Sequence, residues 1–163
     1  MAAFDMATST LAPAEAWRTS FGKSFKTYRE HKQKNKKKSG RSVMHGNDKK
    51  GWYQLCYGHS TEEPFDKSKL DIVADLPQRT ILSLLNYHIQ WVKEVTTTES
   101  LWLFALLLYL DPVLTYNDVS TLRDLARHLI ALRQQKKEHD DAVARMNILI
   151  TIIGQGFGQA DLI

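Results

Sequence analysis

Residues 100–112 read SLWLFALLLYLDP, and positions 101–110 are apolar without a break. A helix that crosses a bilayer needs roughly 17–25 such residues, so this run is too short to span, and the chain has no longer one. A helix apolar on every side must be buried on every side. The segment is therefore expected to be the central rod of a helical bundle. It should stop at Asp111-Pro112, because proline cannot continue a helix and disfavours helix in the residue before it.

Helical periodicity continues on both sides of the rod. In LPQRTILSLLNYHIQWVKEV (residues 76–95), Ile81, Leu84, Leu85, His88, Val92 and Val95 share a stripe, and Pro77 suits a first turn, where a missing N–H costs nothing. TTTES follows, with Thr98 expected as the cap of the rod. Beyond the rod, Thr115 and Asp118 open a helix striped by Val119, Leu122, Leu125, Ala126, Leu129 and Leu132, with Arg123, Arg127 and Arg133 facing elsewhere. Asp140 and Asp141 suit the positive start of a last helix carrying Val143, Met146, Leu149, Ile150 and Ile153. That helix is expected to fray at GQGFG, residues 154–158.

Upstream, Trp17, Phe21, Phe25 and Tyr28 recur at spacings of four, four and three, which places them on one face of a helix. Nothing alternates as a strand should. The expected fold is all-α, a helical bundle with a long basic N-terminal helix and a central fully apolar helix. Its parts are a disordered N-terminus (1–13), the long amphipathic helix (14–38), a loop-rich linker with a short Gly-Trp turn (39–75), and the bundle (76–163).

The chain has 163 residues, 43% hydrophobic and 25% charged, enough to build one domain with a core. Its net charge of +4 is unevenly spread. Residues 23–50 hold eleven of the 22 Lys and Arg but only two of the 18 Asp and Glu, so a basic arm adjoins a mildly acidic body. Lys32, Lys34, Lys36, Lys37, Lys38 and Arg41 form its densest part. They suit nuclear localisation or RNA binding, or simply a solvated helix end, where cations face the negative end of the dipole. The lone cysteine, Cys56, permits no internal disulfide, and no secretory signal is visible. A soluble protein of cytoplasm and nucleus, without membrane contact, is expected.

A search for chemistry returns little. GKS at residues 22–24 has Trp17 where a phosphate loop requires glycine, and no strand precedes it. Cys56 and His59 have zinc-ligand spacing but no second pair, and a closed zinc site needs four ligands. His88 on an apolar stripe reads as a core or groove histidine bonded to a carbonyl. No catalytic residue, metal or cofactor is expected, and the chain does not read as an enzyme.

Five short motifs then occur in a familiar order. Trp102 to Leu107 gives W-L-[YF]-A-L-L, Leu122 to Arg127 gives L-R-x-L-A-R, and Asn147 to Ile150 gives N-[LI]-L-[IL], closed by Phe157, Gln159 and Asp161. Gly51-Trp52 with Cys56 resembles a G-W-x-x-F-C turn, and Trp17, Phe25 and Arg29 fit W-x7-F-x3-R. Over residues 17–162 the chain thus resembles the Gemin-two family, also called survival-of-motor-neuron (SMN) interacting protein one.

The resemblance implies a non-enzymatic scaffold of the SMN complex, acting in spliceosomal Sm-core assembly and so in mRNA splicing and processing. The implied partners are an amphipathic SMN helix and Sm proteins, D-one and D-two above all, with small nuclear RNA met only indirectly. Partner-binding positions would include Trp17, Phe21, Phe25, Arg29 and Trp52. Leu101, Trp102, Arg123, Arg127 and Phe157 complete the set, with one apolar groove open to a partner helix. Two departures stand out. Leu101 occupies a place where animal members have Arg, and only sixteen residues precede Trp17, where the family has a long arm. The rival reading is a basic helical RNA-binding protein that uses residues 23–50.

Overall fold

The computed structural model describes residues 11–36, 44–58 and 65–163. Among these residues there are six α-helices and no strand. They are α1 (Glu15–Lys34), α2 (Lys49–Tyr57), α3 (Gln78–Trp91), α4 (Thr97–Tyr109), α5 (Tyr116–Gln134) and α6 (Asp141–Gly156). Two 3-10 helices, Lys67–Asp75 and Ala160–Leu162, precede α3 and follow α6.

The apolar run forms α4 and ends at Leu110, as its Asp-Pro dictates. Helix α4 packs on α1, α3, α6 and the first 3-10 helix. It shares the centre with α6, which packs on α1, α4 and α5. The latter is buried nearly all round although its sequence is interrupted by Asn147, Thr151 and two glycines. Between them Trp102, Leu103, Leu106, Leu107, Leu149, Ile152 and Ile153 make a fully enclosed core.

Local signals set the helix ends. Thr96, not Thr98, caps α4: the Glu99 carboxylate accepts from the Thr96 N–H at 3.0 Å and also from its hydroxyl. Pro77 stands at the N-cap of α3 rather than inside its first turn. That helix stops at Trp91, so Val92 and Val95 lie in the connector, yet both are buried. Their carbonyls accept from His128 Nε2 at 2.6 Å and Arg145 Nε at 2.9 Å, which ties the connector to α5 and α6. Thr115 and Asp140 cap α5 and α6 through Asp118 N and Val143 N.

Within the linker expected over residues 39–75, the described residues 44–58 and 65–75 are largely helical. Asp48 Oδ1 accepts from Gly51 N at 3.0 Å and starts α2, so the Gly-Trp turn is a helix of nine residues. Residues 67–75 are a 3-10 helix laid on α4. Of the disordered N-terminus expected over residues 1–13, residues 1–10 lie outside the described residues, as do Lys37, Lys38, Arg41 and His59, whereas Leu11 is buried and its carbonyl accepts from Asn147 Nδ2 at 2.9 Å.

The last helix does not fray at its glycines. A Cβ on Gly22 of α1 would lie 2.5 Å from Gln155 Cβ, and one on Gly156 would lie 3.1 Å from the Phe25 ring. The missing side chains are what let α1 and α6 approach so closely.

Candidate partner-docking face

Helix α1 carries two lines of side chains. At 100° per residue, Gly22, Phe25, Arg29 and Gln33 fall on one side, and Trp17, Phe21, Ser24 and Tyr28 about a third of a turn away. The inner line fastens α1 to the bundle. Phe25 is 3% exposed and meets Phe104 edge-on at 6.1 Å. Arg29 donates from Nη1 to the Gly156 carbonyl at 2.7 Å and lies over the rings of Phe25 (5.4 Å) and Phe157 (5.1 Å). Burial lowers the affinity of Arg29 for its proton, and the Asp111 charge partly restores it. Gln33 Nε2 donates to the carbonyls of Leu108 and Leu110 at 2.8 and 3.1 Å, closing the end of α4.

The outer line is open. Trp17 is 39% exposed and stacks on half-buried Phe21 with ring centroids 5.0 Å apart. Tyr28 is 44% exposed, and with Lys23, Ser24, Thr27 and His31 it lines a shallow hollow on the outer face. The aromatic stripe expected on one face is thus split. Phe25 belongs to the core, while Trp17, Phe21 and Tyr28 form an apolar ledge, with Phe21 packed at the edge of the core and the rings of Trp17 and Tyr28 exposed among the described residues.

The remaining expected site residues separate as clearly. Trp52 and Trp102 are wholly buried. Trp52 Nε1 donates to the His45 carbonyl at 3.0 Å, while Trp102 Nε1 has no hydrogen-bond partner among the described residues. Leu101 is half-buried. Phe157 lies under Arg29. Arg123 makes a bidentate pair with Asp161 (2.8 and 3.0 Å) and donates to Gln159 Oε1 at 2.6 Å, which latches the C-terminal 3-10 helix to α5. That hydrogen-bonded pairing lowers the Asp161 pKa below its ordinary value. Arg127 pairs on the surface with Asp124 at 3.3 Å. Lys32 is half-buried over the Tyr28 ring, and Lys34 and Lys36 are exposed. Most of the expected contact residues therefore build the scaffold.

A second aromatic group went unnoticed in the sequence. Tyr53, Tyr57, Tyr87, His88 and Trp91 pack where α2 meets α3, and Lys49 lies over the Tyr87 ring at 5.5 Å. His88 is fully buried; its Nδ1 donates to the Leu84 carbonyl at 2.7 Å, and its Nε2 accepts from the Tyr57 hydroxyl at 2.7 Å. Burial lowers the His88 pKa to about 4 against the pull of Leu84, so the ring is neutral at pH 7. Cys56, one residue before Tyr57, is a buried thiol whose pKa burial pushes up to about 12. Such a thiol is no nucleophile.

Among the described residues no His, Cys, Asp or Glu group is arranged to hold a metal ion, and no helix is long and apolar enough to cross a membrane. What the described surface offers is a helix fixed to the core on one side with an aromatic ledge on the other.

Comparison with known proteins agrees on one family. Residues 2–160 match the family model described as survival motor neuron (SMN) interacting protein 1. Gem-associated protein 2 of Xenopus laevis is 36% identical over 96 residues, covering 57% of this chain and 37% of that protein. Gem-associated protein 2 of Mus musculus is 31% identical over 179 residues, covering 93% of this chain and 66% of its own length. The chain thus spans between a third and two thirds of these relatives. A chain of a solved assembly, "The 8S snRNP Assembly Intermediate", superposes with a TM-score of 0.71 at 29% identity, over 93% of this chain and 74% of that one.

Proposed function

Since this chain belongs to the survival motor neuron interacting protein 1 family, we propose that it is a non-enzymatic assembly factor. It holds an amphipathic SMN helix and Sm proteins, D-one and D-two among them, while the Sm core is built on spliceosomal small nuclear RNA. It works in cytoplasm and nucleus. The observation that carries this reading is the ledge of Trp17, Phe21 and Tyr28 on a helix whose other side is fixed to the core.

Helix-in-groove recognition needs apolar anchors at helical spacing and no reacting group. The ledge supplies anchors at i, i+4 and i+11, which together reach along three turns. Half-exposed aromatic rings on rigid backbone are the side chains that most often dominate binding energy.

Calorimetry with a synthetic SMN helix tests this. Saturable binding that changes little between low and high salt is expected, because the contact is apolar. An absence of binding would remove the reading. Binding to RNA that weakens steeply with salt, without SMN binding, would favour the basic arm as the working part.

A further inference from the structure

Past the ledge, the end of α1 meets the first 3-10 helix and the end of α4 in a hollow of a different kind. His31, Lys32, Asn35 and Lys36 line it from α1, Asp71 and Ala74 from the 3-10 helix, and Tyr109 from α4. Its volume is about 280 Å³, just under the range of pockets that enclose a drug-sized ligand. That is room for one unit of a polymer lying across the surface rather than for a whole cofactor.

Each of the three walls is held in place. Gln33 Nε2 donates to the carbonyls of Leu108 and Leu110, which fixes the end of α1 to the end of α4 on either side of Tyr109. The Asn35 N–H and side-chain Nδ2 both donate to the His31 carbonyl, at 3.1 and 2.9 Å, so a carbonyl of the last turn is already satisfied. Asp66 Oδ1 accepts from Ser68 N at 3.0 Å and starts the 3-10 helix, which buries Val73 and packs on α4.

The charges in the hollow are not spent on one another. Among the described residues no ion pair joins Asp71 to Lys32 or Lys36. Two ammonium groups therefore share the space with one carboxylate and an apolar floor of Ala74 and Tyr109. A simple anion would satisfy the lysines and be repelled by Asp71. A ligand that suits all three needs anionic oxygens and N–H donors on one small unit, and a nucleotide carries both, on its phosphate and on its base edge. The basic run also continues in sequence from Lys36 through Lys37, Lys38 and Arg41, as a segment that follows a nucleic-acid backbone requires.

We propose that this hollow binds one guanosine unit of single-stranded RNA. Lys32 and Lys36 hold its phosphate, and Asp71 accepts from the base. Guanine is the base singled out, because its N1–H and N2–H present two adjacent donors that match the two oxygens of a carboxylate. The inference does not depend on the docking of the SMN helix, since neither Trp17 nor Phe21 takes part.

The test is fluorescence anisotropy of the whole chain with labelled pentauridine and with the same strand carrying G, A or C at its centre. The strand with central G should bind about tenfold more tightly than the others. Asp71→Asn should abolish that preference and keep the salt dependence. Lys32→Gln with Lys36→Gln should weaken all four strands alike and flatten the slope of log affinity against log salt by about 0.7 for each contact removed. Melting temperatures should not change, because Asp71 and Lys36 are exposed and Lys32 is only half-buried. The wild-type comparison needs no variant: no binding, or equal affinity for the four strands, would overturn the proposal. A preference for G that survives Asp71→Asn would overturn it as well. If Asp71→Asn leaves RNA binding untouched but weakens binding of an SMN helix peptide, the hollow belongs to the protein partner and not to RNA. Failure of the SMN peptide to bind wild type would instead strike the docking reading and leave this one standing.

Discussion

Helices α1 and α2 both lie outside the α3–α6 bundle, and both are rich in aromatic residues, but they are attached in different ways. Helix α1 is fixed by close backbone approach at Gly22 and Gly156 and by a guanidinium between two rings. Helix α2 is shorter and is fixed by buried Trp52 and by Tyr57, whose hydroxyl reaches the neutral His88. The first attachment has nothing that titrates near neutral pH. The second depends on a histidine that must stay uncharged. The first also leaves Trp17 and Tyr28 exposed, while in the second Tyr53 is exposed but leans on half-buried Tyr57 and Trp91. Aromatic content alone therefore does not mark a docking site; the side of the helix that carries it does.

The largest expected effect falls on the inner line of α1. Phe25→Ala removes a ring enclosed by Phe104, Gly156 and Arg29 and should cost about 3–5 kcal/mol, measured by urea denaturation. A loss below about 1 kcal/mol would mean that α1 is held mainly by other contacts.

Acid should act on α2 instead. The folded His88 pKa of about 4 lies below the unfolded value of about 6.5, so the unfolded chain binds more protons between these values. The stability that neutral burial contributes is complete above about pH 6.5 and is lost as pH falls toward 4. The difference amounts to roughly 3 kcal/mol. Denaturation at pH 7, 5 and 4 would follow it, and a His88 resonance titrating near 6.5 in the folded protein would refute it. Fluorescence from Trp52 and Trp91 would report whether α2 loosens first.

How far the sequence foretold this follows from what each signal can encode. The run at 101–110 predicted a buried helix correctly, because an unbroken apolar stretch has no wet side to offer. Helix α6 is as central, but Asn147 and Thr151 break its pattern, and its glycines suggested fraying where they permit contact. The spacing of Trp17, Phe21, Phe25 and Tyr28 spans an arc wide enough to cross from core to surface, and periodicity alone does not say which edge turns inward. Thr96 was distinguishable from Thr98, since Glu99 stands three residues after it, the spacing of a capping box. Arg133 was misread by the rule that charge faces water. That rule fails where a polar residue of another helix, here Asn147, waits inside.

On the outer line, Trp17→Ala should separate binding from folding. Trp17 is 39% exposed, so its removal should change stability by less than about 1 kcal/mol. Its effect on SMN helix binding should be larger, about 2 kcal/mol or more, as for a central aromatic anchor. A Trp17→Ala chain that binds as wild type would move the docking face elsewhere and leave the ledge a bystander.

The smallest effect is expected where α1 runs out. Lys34 and Lys36 are exposed, beyond the last inner anchor at Gln33 and close to the negative end of the helix dipole. That interaction is worth only some 0.3–1 kcal/mol even at low salt, and salt screens it. Lys34→Gln with Lys36→Gln should therefore shift stability by under about 0.5 kcal/mol at physiological ionic strength. SMN helix binding should also be unchanged, since the ledge ends at Tyr28, two turns earlier. The same variant tests the rival use of the basic arm. If these lysines neutralise phosphates, an RNA titration against salt should lose slope in proportion to the contacts removed, while SMN binding stays constant. Loss of SMN binding with no change in the RNA slope would extend the docking face to the end of the helix, and the contrast between a fixed inner line and a free outer ledge would have to include its basic tip.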